Sequence, residues 1–346
     1  MTSQTIRDPL KDHLLVRIAR ASVLHPAGIV ALTIWIIANA AVVILSGGSL
    51  PFDRPAIAGL SFAVQVAVPS VELLEVFGLM GVVYAITRKR TPPDMAARAP
   101  AKATAAFETF GLLAYAMLAQ AGGWLLGPAL GYRPFSFHIA GTLFGTSVPA
   151  SPSEVWTWMS YNFVMFAVIP YLVFRRRYSA TQLNLKSVAP RADLVLIVII
   201  AVLESAYQLT TFPGIFKLTP HALVLAVPLT FFVFFLGTVL PTMVLIYAVL
   251  LPRYLKLTGS PTVTVLLGGL TYALMHVVEG WSLFTTPRDI ALSLILVFMT
   301  YIGPGMFKSF VTLRTGNAWV HAIGYHAIAP HVIIDTPMID KVFGIS

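Results

Sequence analysis

Cysteine is absent from the 346 residues, and charged side chains supply only 11% of them. The first absence excludes disulfides and thiolate metal sites, and leaves the redox compartment unread. The second excludes an ordinary soluble domain, in which about a quarter of residues are charged. Asn-x-Ser/Thr acceptors, low-complexity tracts and convincing internal repeats are also missing. What the chain does have is apolar surface: 57% of residues are hydrophobic and the mean hydropathy is +0.82. Such a composition belongs in a lipid bilayer.

A spanning helix needs about 20 mainly apolar residues. Nine candidate spans follow, at roughly 25–47, 56–87, 104–127, 154–174, 192–211, 221–251, 261–278, 289–307 and 317–334. The seventh and ninth are short and carry histidine. The second and sixth are long and hold internal proline, Pro69 in one and Pro228 with Pro241 in the other. Tilt or a kink is expected there. The fold class is therefore all-α, a polytopic transmembrane helix bundle.

The net charge of +9 is topological and marks no nucleic-acid partner. Alternate connecting segments hold 18 of the 23 basic residues, among them Arg88, Lys89, Arg90, Arg175, Arg176, Arg177, Arg253, Lys256, Lys308 and Arg314. Lys and Arg favour the cytoplasmic side of short loops. The N-terminus is then cytoplasmic and the C-terminus outside, in a protein integral to the cytoplasmic membrane of a prokaryote. Residues 1–24 read as an amphipathic cytoplasmic lead-in without a cleavage site. Residues 25–215 carry helices without a recognised motif. The segment 127–154, rich in Gly, Pro and Ser, reads as a structured or re-entrant outside loop.

Ionisable residues within spans are costly and face a partner or a watery cavity. Glu72, Glu75, Glu108 and Glu204 are such residues. Interhelical hydrogen bonding is the plain reading of the first three, while solvation or snorkelling near an outer end explains Glu204 and Glu279 about as well as chemistry does. The histidines gather late in the chain, at His276, His321, His326 and His331. In "LTYALMHVVEGW", His276 and Glu279 share a helix face at i, i+3. In "NAWVHAIGYHAIAPH" the spacing is five. On a regular helix His321 and His326 then stand about 140° apart and cannot meet at one centre, unless Pro330 breaks the helix. His276 with His326 is the better pair. A set of His276, Glu279, His326 and His331 suits zinc or iron.

The segments "LPTMVLIYAVLLPRYLKLTGSPTVTVLLGGLTYALMH" and "GPGMFKSFVTLRTGNAWVHAIGYHAIAPH" resemble the core of the CAAX protease and bacteriocin-processing family of intramembrane proteases. The resemblance makes 216–346 the core. It implies three motifs: Glu-Glu-x-x-x-Arg, Phe-x-x-x-His and His-x-x-x-Asn/Asp. Tyr272 and His276 fill the second, and His326 fills the third, with Pro330 in the place of its partner. Thr242, Met243 and Tyr247 fall where the first motif has its two glutamates and arginine, so both carboxylates are lost. On this reading His276 and His326 are retained catalytic positions and Glu279 a replacement acid or base. Tyr272, Tyr247, Thr242 and Asn317 would then contact substrate.

Three functions remain open on the sequence. The first is a protein without the family's glutamate-dependent peptidase activity, which uses the cavity to bind a membrane-bound peptide, a prenylated chain or an apolar ligand. The second is an active peptidase or a His/Glu metal-dependent enzyme with a rebuilt site. The third is a transporter or a subunit of a membrane-protein complex.

Overall fold

The computed structural model describes residues 25–52, 60–138, 150–279 and 281–346. The expected lead-in and much of the expected outside loop lie outside these residues. Among those described there are helices and turns but no strand, as the bilayer requires of a chain that must satisfy its backbone internally.

Seven helices are long and apolar enough to cross a membrane. They are α1 (Pro26–Ser46), α2 (Phe62–Thr87), α3 (Lys102–Ala129), α4 (Pro152–Arg175), α5 (Pro190–Thr211), α6 (Pro220–Thr258) and α8 (Pro287–Thr315). Their outward faces are lipid-like: Ile34, Ile44, Leu74, Phe107, Leu125 and Val224 are all exposed. Two of the nine expected spans look different. The seventh is α7, Pro261–Leu274, only 14 residues long. The ninth is α9, a continuous helix made of Trp319–His321, Ala322–Ile333 and Ile334–Phe343. It is buried along much of its length and packs on α5, α6 and α8.

Proline starts most of these helices. Pro26, Pro152, Pro190, Pro220, Pro261 and Pro287 occupy first-turn positions, where the missing N–H has no helical partner to lose. Inside helices proline acts differently. Three stretches of α4 and α6 are wound as π-helix, at Phe163–Val168, Phe235–Val239 and Met243–Leu250. Pro170, Pro241 and Pro252 each stand two residues beyond the end of one. A proline ring presses on the carbonyl four residues back and offers no N–H to it. The preceding turn relieves the clash by widening. A fourth π stretch, Ala322–Ile333, contains Pro330. Pro69 and Pro228, in contrast, are carried within regular α-helix.

α7 packs most extensively on α8, and small residues make this possible. A Cβ at Gly305 would lie 2.8 Å from the Gly269 Cα and 2.6 Å from the Tyr272 Cβ. Glycine at such a seam lets two backbones approach where lipid offers no hydrophobic drive. The same seam sets Tyr272 and His276 beside Tyr301 and Lys308 of α8.

Basic residues expected in loops are buried in the long helices at two positions. Arg253 is 1% exposed and Lys308 is fully buried. Arg253 gives Nε and Nη2 to Glu108 Oε2 at 2.8 and 2.6 Å, while Tyr178 donates to Glu108 Oε1 at 2.7 Å. Interhelical bonding thus accounts for Glu108. Lys308 lies with Nζ 3.7 Å above the Tyr272 ring centroid. Glu204 and Glu279 are also buried, not solvated at helix ends.

Candidate functional site

One ligand-bearing segment comes from outside the long helices. After α3 the chain turns back along it through Arg133–His138. Gly127 permits this, because a Cβ there would collide with the Arg133 carbonyl. Glu154 of α4 accepts from the Arg133 backbone N–H and from its Nε, at 3.1 and 2.9 Å. Trp158 Nε1 donates to the Ser136 carbonyl at 2.6 Å. The Asn162 amide donates to the carbonyls of Ser136, Phe137 and Gly237. This bonding fixes a non-helical strap and delivers His138 to the interior.

His138, His276 and Glu279 offer ligand atoms that all lie within 4.8 Å of one another, and all three residues are buried. His138 Nδ1 lies 3.2 Å from Glu279 Oε1, and the two imidazole centroids are 4.6 Å apart. His276 sits one residue beyond the cap of α7. Its ring stacks on Tyr301 at 4.0 Å, and its Nδ1 meets the Tyr272 carbonyl at 2.6 Å. A carbonyl only accepts, so Nδ1 carries the proton and Nε2 presents a lone pair. That Nε2 is buried with no hydrogen-bond partner.

His331 repeats the arrangement from α9. Its Nδ1 is 2.8 Å from the Asp335 carboxylate, its ring stacks on Phe234 at 4.7 Å, and its Nε2 is likewise buried without a partner. Its centroid is 5.7 Å from that of His138. Metal-ligating histidines commonly donate their other ring N–H to a carbonyl or carboxylate, which fixes tautomer and orientation. His276 and His331 have both forms of this support.

His326 is set one step back. Its Nε2 is 3.3 Å from the Tyr272 hydroxyl and its centroid 5.0 Å from that of His331. The ring neighbours of His276 are Phe137, His138, Tyr272 and Tyr301, so the expected pairing of His276 with His326 gives way to His276 with His138. His321 packs edge-on against Tyr247 at 4.3 Å.

The four residues expected to touch substrate are dispersed. Tyr272 lies at the centre, as described. Tyr247 and Thr242 are buried in α6, and the Tyr247 hydroxyl donates to the Gly305 carbonyl at 3.3 Å. Asn317 lies elsewhere: its amide donates to Asp193 Oδ2 at 2.9 Å and its side-chain oxygen accepts from the Trp319 N–H at 3.1 Å. These bonds tie the turn before α9 to α5, which is a structural task.

Two site residues escaped the sequence reading. Asp335 stands four residues after His331, the His-x-x-x-Asp spacing of the third motif, which the resemblance had placed at His326 and Pro330. His138 is 141 residues from its partner Glu279, and its one local sign is the apolar "PFSFHI" around it. Comparison of the chain with protein-family models, with curated proteins and with solved structures finds no match.

Proposed function

We propose that this protein is an intramembrane hydrolase in which His138, His276 and His331 would hold one divalent metal of the zinc or iron class, with the Glu279 carboxylate beside it. The observation that carries the reading is the pair of buried Nε2 atoms on His276 and His331, each left without a hydrogen-bond partner while Nδ1 is fixed. Burying an unsatisfied polar atom costs about 1–3 kcal/mol. One of them belongs to the close set of His138, His276 and Glu279 and the other lies on a ring 5.7 Å from that of His138, an arrangement that fits a cation better than a packed core. Imidazole and carboxylate donors suit zinc or iron.

A metal in such a set supplies Lewis acidity and makes water a nucleophile near neutral pH. The chain's own residues take the remaining roles. Glu279 is the carboxylate placed to accept the proton of an attacking water and to pass it to a leaving amine. Asp335 and the Tyr272 carbonyl orient the imidazoles. The Tyr272 hydroxyl, beside His326, is a donor for a developing oxyanion. The resemblance to intramembrane proteases points to a membrane-bound peptide, or a prenylated chain, as substrate. In that case the base has moved from α6 to the turn after α7, since Thr242, Met243 and Tyr247 replace the acidic motif.

That same replacement favours a second reading, a binding protein that has given up hydrolysis. The transport reading loses support at Glu108, which is clamped by Arg253 and Tyr178.

The test is metal content by mass spectrometry on detergent-purified protein. Wild type is expected to carry one metal per chain, lost in His276→Ala and in His331→Ala and kept in His326→Ala. Metal-free wild type, or full content in both of the first two variants, refutes the metal centre. Metal without turnover of membrane peptides moves the reading to a binding protein.

A further inference from the structure

We infer a binding site for an anionic phospholipid at the basic end of the groove between α3 and α4. The groove has a volume of about 360 Å³ and is walled by Phe107, Leu112, Tyr115, Ile169 and Val173, with Arg176 and Arg177 at its mouth. Its floor is Gly111, where the missing side chain leaves open space: a Cβ there meets nothing within 4 Å. From Phe107 to Tyr115 the helix rises about 12 Å, room for the upper part of an acyl chain.

The charge at the mouth selects the headgroup. Arg176 and Arg177 line the mouth and are exposed; Arg175, next to them in the chain, and Lys102, which opens α3, are exposed as well. The nearest carboxylate does not cancel this charge. Glu108 Oε2 takes two bonds from Arg253 and Oε1 one from Tyr178, and Arg177 approaches it only to 3.9 Å with its side chain 73% exposed. The surplus is positive and borders an apolar trough. A phosphate with attached acyl chains has the complementary form: charge at the helix ends, hydrocarbon along Gly111. Basic pockets between transmembrane helices bind anionic headgroups in this way. The site is independent of the histidine cluster and stands whether or not a metal binds there.

The experiment is native mass spectrometry of the detergent-solubilised full chain with dioleoyl phosphatidylglycerol or dioleoyl phosphatidylcholine. Wild type is expected to retain phosphatidylglycerol in preference. Arg176→Gln with Arg177→Gln should weaken phosphatidylglycerol binding by about 30-fold, roughly fivefold per arginine near the membrane surface, and bring it to the phosphatidylcholine level. In Gly111→Phe the Cβ meets no protein atom within 4 Å and the ring enters the trough, so its thermal midpoint should stay at the wild-type value while affinity for both lipids falls. Equal retention of the two lipids by wild type overturns the site. Wild-type affinity in the double arginine variant does so too. Unchanged binding in Gly111→Phe overturns the acyl seat.

Discussion

Removing the charge of Glu108 tests the electrostatic account of the bundle most directly. Arg253 is 1% exposed. Its guanidinium makes two bonds to Glu108 Oε2, a third to the Val249 carbonyl at 2.7 Å, and lies 4.9 and 4.8 Å from the Phe174 and Tyr178 ring centroids. Glu108→Gln keeps the shape and deletes the anion. Two of the three guanidinium bonds then lose a charged acceptor, while the ring faces compensate only in part. Leaving a buried charge unpaired costs about 3–5 kcal/mol. Arg253→Met should cost a similar amount, because Glu108 keeps a single close donor in Tyr178. The double variant removes both charges and should return to within about 1–2 kcal/mol of wild type. The assay is reversible unfolding in mixed micelles, run as a double-mutant cycle. A Glu108→Gln protein as stable as wild type, or a double variant that merely adds the two single costs, would refute the reasoning.

Three further outcomes follow from the site and its supports. Asp335→Ala removes the acceptor that orients His331 and should weaken metal binding by about 10–100-fold, read by competition with a chromophoric chelator; an unchanged affinity sinks the orienting role. Metal should also be released on acidification through the histidine range, since the imidazoles must be neutral to ligate, and titration of metal content against pH would show a flat profile if carboxylates alone held it. Pro330→Ala lets α9 rewind toward regular helix, which would turn His331 about the helix axis and away from His138, whose ring centroid is now 5.7 Å away. Helix content by circular dichroism should persist while metal is lost; retention of metal contradicts the winding argument.

The spacing of five in α9 shows where sequence and structure part. On a regular helix His321, His326 and His331 diverge. In a π-helix the hydrogen bonds link residues five apart, so this spacing becomes the repeat of one face, and the His326 and His331 rings come within 5.0 Å. The signal was present in Pro330, but the choice between a break and a wider winding depends on packing against α5 and α6. The long spans were legible because their apolar runs need no partner to be recognised. Arg253 and Lys308 were not, since a basic residue at the end of a run reads as a loop until its burial is seen. His138 was illegible for a third reason: its position is set by the Asn162 and Trp158 bonds to a strap, not by any periodicity.

The shortness of α7 has an electrical consequence. Fourteen residues rise about 21 Å, against a hydrocarbon core of about 30 Å, so a helix that starts at one surface stops inside the membrane. There its carbonyl end carries the negative pole of the helix dipole, although the oxygens of Thr271, Tyr272, Ala273 and Leu274 each take a hydrogen bond. His276 and Glu279 follow at once. In a low-dielectric interior that pole is poorly screened, and it lowers the potential of the cluster before any side chain ionises. A truncated helix thus acts as a built-in electrode, attracting cations to the point where the chain leaves its regular path.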